Sequence, residues 1–189
     1  MADMGSFSGN PITEWLTEPG ADRQMKVQKE FFYIDPKGRK WVAPAGSIVN
    51  GASIPAALWS MVGSPYTGEY RRASIVHDVA CDDAAVSRKE ADEMFYHACL
   101  AGGCTLFEAR VLYAGVRIGA AFPDVRFWTE AVAARPLAVR GRFQPTLTQE
   151  SVQNTYREIA ADIESRPETM TFEQLEGIVD HHLAAEVAQ

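Results

Sequence analysis

Cysteine is scarce: Cys81, Cys99 and Cys104 are the only three in 189 residues. An odd and small number makes no disulfide framework, and it predicts reduced thiols serving first as small core residues in a cytoplasmic protein. Histidine is nearly as sparse, with four in the chain and none before His77. That disfavours the metal-dependent phosphohydrolases that join a His-Asp pair to a further histidine upstream. No run of about 18 apolar residues is free of charge, so no membrane-spanning helix is expected. The first residues, Met1 to Trp15, lack the basic start and apolar stretch of a signal peptide, so export by that route is not expected either. There is no Gly-x-Ser-x-Gly elbow, Walker loop, Cys-x-x-Cys pair or His-Glu-x-x-His helix, and the chemistries built on them lack their parts. Nor is there a basic excess. Lys and Arg number 18 against 25 Asp and Glu, a net charge of -7, which argues against nucleic acid as a partner because gripping phosphates needs the opposite balance.

What is present is an ordinary globular composition, 47% hydrophobic and 23% charged. A chain of this length buries on the order of 70% of its unfolded surface, enough for a core without staples. Residues 1–23 are rich in Gly, Ser and Pro and read as an irregular arm. From Gln24, the residues Met25, Val27, Lys29, Phe31 and Tyr33 alternate with a more polar set. Asp35-Pro36-Lys37-Gly38 then supplies a type I turn and Lys40-Trp41-Val42 follows, a β-hairpin pattern with a further extended piece at Ser47-Ile48-Val49. Beyond Pro55 the period is helical. A short turn at Leu58 to Val62 precedes a helix from about Tyr70 to Cys81, and capping boxes at Ser87–Glu90, Thr105–Glu108 and Thr171–Gln174 open three more helices. Another helix falls near Glu150 to Ser165. The fold class expected is α+β: an N-terminal hairpin or small antiparallel sheet, a mainly helical core with an antiparallel helix hairpin, and C-terminal helices. The organisation is an arm at 1–23, a core at 24–123, a linker or wrapping segment at 124–147 and an acidic helical extension at 148–189.

Candidate chemistry concentrates on the helix hairpin. His77 lies about one and a half turns before the connection and Asp92 about as far after it, so the two sit level across the hairpin. An imidazole and a carboxylate that meet there suit a general base and its orienting partner. Asp78 lies about 100° further round and shares a face with Asp82. Two such carboxylates could be neutralised by calcium, which takes six to eight oxygens at about 2.4 Å, with the carbonyls of the loop Gly63-Ser64-Pro65-Tyr66-Thr67-Gly68 completing the shell. The same residues also suit a structural role, with His77 hydrogen-bonded inside the hairpin, Asp92 a first-turn carboxylate and Asp82 a solvated loop residue. His97 belongs to another face, and His181-His182 read as exposed.

The ordered motifs Val42-Ala43-Pro44-Ala45-Gly46, Asn50-Gly51-Ala52-Ser53-Ile54-Pro55, Leu58-Trp59, Gly68-x-Tyr70, Ala73-Ser74-Ile75-Val76-His77-Asp78 and Ser87-Arg88-Lys89-Glu90-Ala91-Asp92-x-x-Phe95 resemble the domain-of-unknown-function family DUF1353 of phage and prophage proteins, over roughly residues 40–122. The resemblance implies a protein of the bacterial host cytoplasm or of the virion, with other phage proteins as partners. This chain departs from the family pattern in having Asn50 where aspartate is usual and Cys81 where tyrosine is usual. The series His77-Asp78-x-x-Cys81, then Asp92-x-x-Phe95, is also similar to the helix-hairpin site of secreted phospholipases of the A-two type. That similarity implies His77 as base, Asp78 as calcium ligand and Asp92 as orienter.

Two readings follow. In one, the chain is a small hydrolase attacking an ester, with lipid as substrate class, His77 and Asp92 as catalytic pair, calcium on Asp78 and Asp82, and Asn50, Ser53, Trp59 and Tyr66 at the substrate. In the other, it is a non-catalytic phage structural or accessory protein with a buried network of Ser53, His77 and Asp78. The charge count adds a feature of its own. Residues 1–147 are neutral overall, and 148–189 carry two arginines against nine carboxylates. The acidic helices are expected to meet a basic partner or the arginine-bearing segment from Arg110 to Arg142. Deleting residues 148–189 is then expected to abolish the salt dependence of thermal stability or of association, and an unaltered salt response refutes the expectation.

Overall fold

The computed structural model describes residues 3–18, 24–51, 54–63, 67–122 and 148–187. The chain forms two compact units, Met1–Ala52 with Gly63–Tyr113, and Ser53–Val62 with Ala114–Gln189.

The first unit holds six short strands: β1 Ser6–Phe7, β2 Thr13–Trp15, β3 Met25–Val27, β4 Phe31–Ile34, β5 Lys40–Ala43 and β6 Ile48–Val49. They make two antiparallel three-stranded sheets, ordered β1-β4-β5 and β2-β3-β6. The expected hairpin is β4–β5, with Tyr33 opposite Trp41 and Phe31 opposite Ala43, all four buried. Its turn is built on Asp35. The Asp35 carbonyl accepts the Gly38 N–H at 2.9 Å, Oδ1 accepts the N–H groups of Lys37 and Arg39, and Oδ2 accepts the Trp41 indole N–H. Gly38 sits at φ +82°, where a β-carbon would be strained.

Two expectations change here. The alternating run from Met25 to Tyr33 is not one strand but two, β3 and β4, in different sheets. The alternation asks Lys29 to face inward, an ammonium cannot be buried without a partner, and the chain leaves one sheet for the other with Lys29 exposed. The arm at 1–23 also contributes two strands, because β1 and β2 complete the sheets as edge partners of β4 and β3. Gly5 makes this possible at φ +80°, since a β-carbon there would stand 2.1 Å from the Ile34 carbonyl oxygen.

Helices α2 (Arg71–Asp82) and α3 (Arg88–Gly102) follow in the same unit. They pack on each other, and α2 also packs on β4, β5 and β6. The Ser87–Glu90 box closes as expected: the Ser87 hydroxyl accepts the Glu90 N–H, and the Glu90 carboxylate accepts the Ser87 N–H at 2.9 Å. Gly103, at φ +110°, ends α3 and donates its N–H to the carbonyls of Cys99 and Leu100. The Thr105–Glu108 box likewise opens α4 (Leu106–Ala121).

In the second unit a 3-10 turn at Ala56–Leu58 runs into the short helix α1 (Trp59–Val62), and α5 (Gln149–Ser165) packs on α6 (Phe172–Val187). Val152, Tyr156, Ile159, Ile163, Leu175 and Val179 are its core. The Thr171–Gln174 box opens α6. Arg117, from the expected basic segment, meets the acidic extension at Asp180, 3.1 Å away. The expected linker, 124–147, lies outside the described residues. Among the described residues no helix is long and apolar enough to cross a membrane.

Because the capping box sets where α3 begins, Ser87→Ala is expected to cost about 1 kcal/mol of unfolding free energy in urea titration, with Ser87→Thr close to wild type. Equal stability of all three removes the box from the account.

Candidate functional site

The i and i+4 positions of α2 place His77 and Cys81 on one helical face, and the same spacing on α3 places Arg88 and Asp92 together. Where the two helices pack, these four side chains converge. His77 Nε2 and Asp92 Oδ1 are 2.7 Å apart, and both side chains have no solvent exposure. Arg88 Nε donates to the same Oδ1 at 3.1 Å. Cys81 Sγ lies 3.5 Å from His77 Nε2 and 3.8 Å from Nδ1, and Cys81 itself is only partly buried. The Phe95 ring packs tilted against the imidazole, 4.8 Å between centroids.

The electrostatics of His77 are a contest. Burial, the largest influence, disfavours the imidazolium. The Cys81 sulfur and the hydrogen bond and charge of Asp92 act the other way and prevail, raising its pKa to about 9.

Asp78 serves a different neighbour. It is buried, and its Oδ2 accepts the backbone N–H groups of Asn50 at 3.0 Å and Gly51 at 2.7 Å, where the chain leaves β6. Asn50 thus meets Asp78 through its backbone, while the residue itself is exposed. Asp82 is exposed at the end of α2. Among the described residues the cluster of three ligand-type side chains is His77, Cys81 and Asp92, with ligand atoms within 4.8 Å of one another; it includes neither Asp78 nor Asp82. Ser53 and Tyr66 lie outside the described residues. Trp59 stands in the second unit, half-buried, with its indole N–H on the Ile54 carbonyl at 3.2 Å. Tyr70 is buried and donates its hydroxyl to the Gly63 carbonyl. His97 is half-buried against Tyr96. His182, expected to be exposed, is half-buried with Nε2 3.4 Å from Asp162 Oδ2, whereas His181 is exposed. Sequence reasoning overlooked Cys81 and Arg88 as members of the cluster, although their i, i+4 spacing to His77 and Asp92 was the available signal.

This cluster lies inside a segment with relatives. Residues 25–116 match the DUF1353 family, described as proteins of unknown function. The match begins earlier than the motif series, at β3, and takes in both packed helices. The chain is also similar to two proteins of Sinorhizobium fredii. One is the uncharacterized protein y4jT, 33% identical over 111 residues, which are 58% of this chain and 32% of the relative. The other is the uncharacterized protein y4iH, 35% identical over 98 residues, 52% of this chain and 41% of the relative. The chain thus spans 32% of the first relative's length and 41% of the second's. No solved structure matches.

The His77 shift fixes a pH dependence for chelator-treated protein. A group whose folded pKa, about 9, lies above its ordinary 6.5 stabilises the fold fully below pH 6.5 and loses that contribution as pH rises to about 9. At roughly 1.4 kcal/mol per unit the loss is on the order of 3 kcal/mol. Urea unfolding at pH 6 and pH 9, with His77→Gln as reference, is expected to show this fall in wild type alone; a wild type parallel to the variant contradicts it.

Proposed function

We propose that the DUF1353 segment is a non-catalytic accessory module of phage type, in which the His77–Asp92 pair and the Asp78 carboxylate clamp the helix pair and the turn after β6. The phage association is an implication of the family resemblance. The observation that carries the reading is burial: His77 and Asp92 have no exposed surface, so neither meets solvent or presents itself to a substrate. Asp78 adds to it, since Oδ2 is turned to two backbone donors. A cation needs carbonyl and carboxylate oxygens, and calcium on this oxygen would have to displace both N–H groups. In this reading the acidic α5 and α6 offer a surface for a basic phage partner.

One observation favours hydrolysis instead. Asp92 holds Nε2, which leaves Nδ1 as the nitrogen free of the carboxylate, on the ring that the partly exposed Cys81 approaches. In that reading His77 takes a proton from water at Nδ1, Asp92 stabilises the imidazolium, and the water oxygen bonds to the carbonyl carbon of a carboxylic ester. The acyl–oxygen bond then breaks and the departing alcohol takes the proton from Nδ1, with phospholipid as substrate class and calcium on Asp78 and Asp82.

Removing the imidazole separates the two. His77→Ala leaves a buried carboxylate with Arg88 alone and is expected to lower unfolding free energy by about 3–5 kcal/mol. Release of fatty acid from mixed phospholipid vesicles, with calcium and with chelator, is expected to be the same for wild type and variant. An unchanged stability refutes the clamp, and a wild-type release that His77→Ala loses establishes the hydrolase.

A further inference from the structure

We propose that His77, Cys81 and Asp92 form a binding site for a borderline-soft transition metal of the zinc class, with a fourth position open toward the partly exposed edge at Cys81. The clamp can hold with no metal, and a bound metal takes the place of the His77–Asp92 hydrogen bond as the link between the two helices.

Three features support it. The first is the donor set. One imidazole nitrogen, one thiol sulfur and one carboxylate oxygen lie within 4.8 Å of one another, contributed by two packed helices. Zinc accepts these three atom types at about 2.0–2.3 Å in a tetrahedron, which sets its ligands roughly 3.3–3.7 Å apart. The sulfur-to-Nε2 separation is already 3.5 Å, the Nε2-to-Oδ1 separation, 2.7 Å, must widen as the proton between them leaves, and the sulfur and carboxylate, within 4.8 Å of each other, adjust about the ion. Sulfur and imidazole together favour zinc or cobalt over calcium or magnesium, which take oxygen.

The second feature is the support behind the carboxylate. Arg88 Nε holds Oδ1 at 3.1 Å, the outer hydrogen bond that keeps a metal-binding carboxylate in one orientation. The third is an unsatisfied donor. Arg88 Nη2 is buried and has no hydrogen-bond partner among the described residues. A hydroxide or small anion in the fourth metal position is the kind of acceptor that a buried guanidinium nitrogen beside Asp92 lacks. Three protein ligands with one open position is the arrangement of exchangeable zinc sites rather than closed structural ones.

The test uses the full chain stripped with chelator. Cobalt(II) is expected to bind at one equivalent, with an intense near-ultraviolet thiolate-to-cobalt charge-transfer band and the visible bands of a tetrahedral ion. Zinc is expected to displace it and to raise the melting temperature by mass action. Cys81 lies at the edge of the cluster, so Cys81→Ala is expected to fold with an unchanged melting temperature in chelator. It should lose the charge-transfer band and weaken zinc binding at least tenfold by calorimetry. A folded wild type without the charge-transfer band overturns the proposal. So does zinc affinity unchanged in Cys81→Ala, which would place the ion elsewhere, for example at His181 and His182. Failure of the clamp would show instead in the stability of His77→Ala measured in chelator, so the two ideas fail separately.

Discussion

A buried imidazole and a buried carboxylate are each costly alone, and the first unit is organised around their meeting. His77 comes from α2 and Asp92 from α3, and the 2.7 Å bond between them lies where no water reaches. In such surroundings attraction is strong and an unpaired partner is expensive, so the pairing admits one register of the two helices and penalises its neighbours. Arg88 supplies the second positive group that a buried carboxylate shared with a titratable ring requires.

The adjacent residue extends the constraint to the sheet. Successive helical positions point about 100° apart, so when His77 faces α3, Asp78 faces another neighbour. That neighbour is the turn after β6, whose Asn50 and Gly51 N–H groups donate to the Asp78 carboxylate. Two consecutive side chains therefore fix α2 against both a helix and the end of a strand. The DUF1353 match, which runs from β3 into α4, covers every element that this dipeptide joins.

Much of this was legible in order along the chain. The three Ser/Thr-to-Glu/Gln boxes opened helices where their spacing placed them, because capping is a local transaction between a side chain and the backbone three residues away. The Asp35-Pro36-Lys37-Gly38 turn is local in the same sense. The level placement of His77 and Asp92 was also readable, since a short connection leaves two packed helices little freedom of register. The strands were less so. Alternation carried through Lys29 hid the break between β3 and β4, and the arm showed no period because β1 and β2 are two and three residues long and owe their existence to distant partners. Cys81 reads in the sequence as a core thiol and Arg88 as one residue of a motif, and their membership of the cluster emerges only when the i, i+4 neighbours of His77 and Asp92 are taken together.

The α+β class, the helix starts and the level placement of His77 with Asp92 follow from residue order, because they rest on residues close in the chain or held by one short turn; that the two side chains bond is a finding of the packed structure. Tertiary structure alone decided the rest. Whether the pair stands in a cleft or a core depends on what the sheets and Phe95 lay over it, and the answer is a core. Whether Asp78 looks toward carbonyl oxygens or N–H donors depends on where the end of β6 falls, and it falls with its donors toward α2. Burial and the polarity of a neighbour are properties of packing between distant segments, and residue spacing carries no record of either.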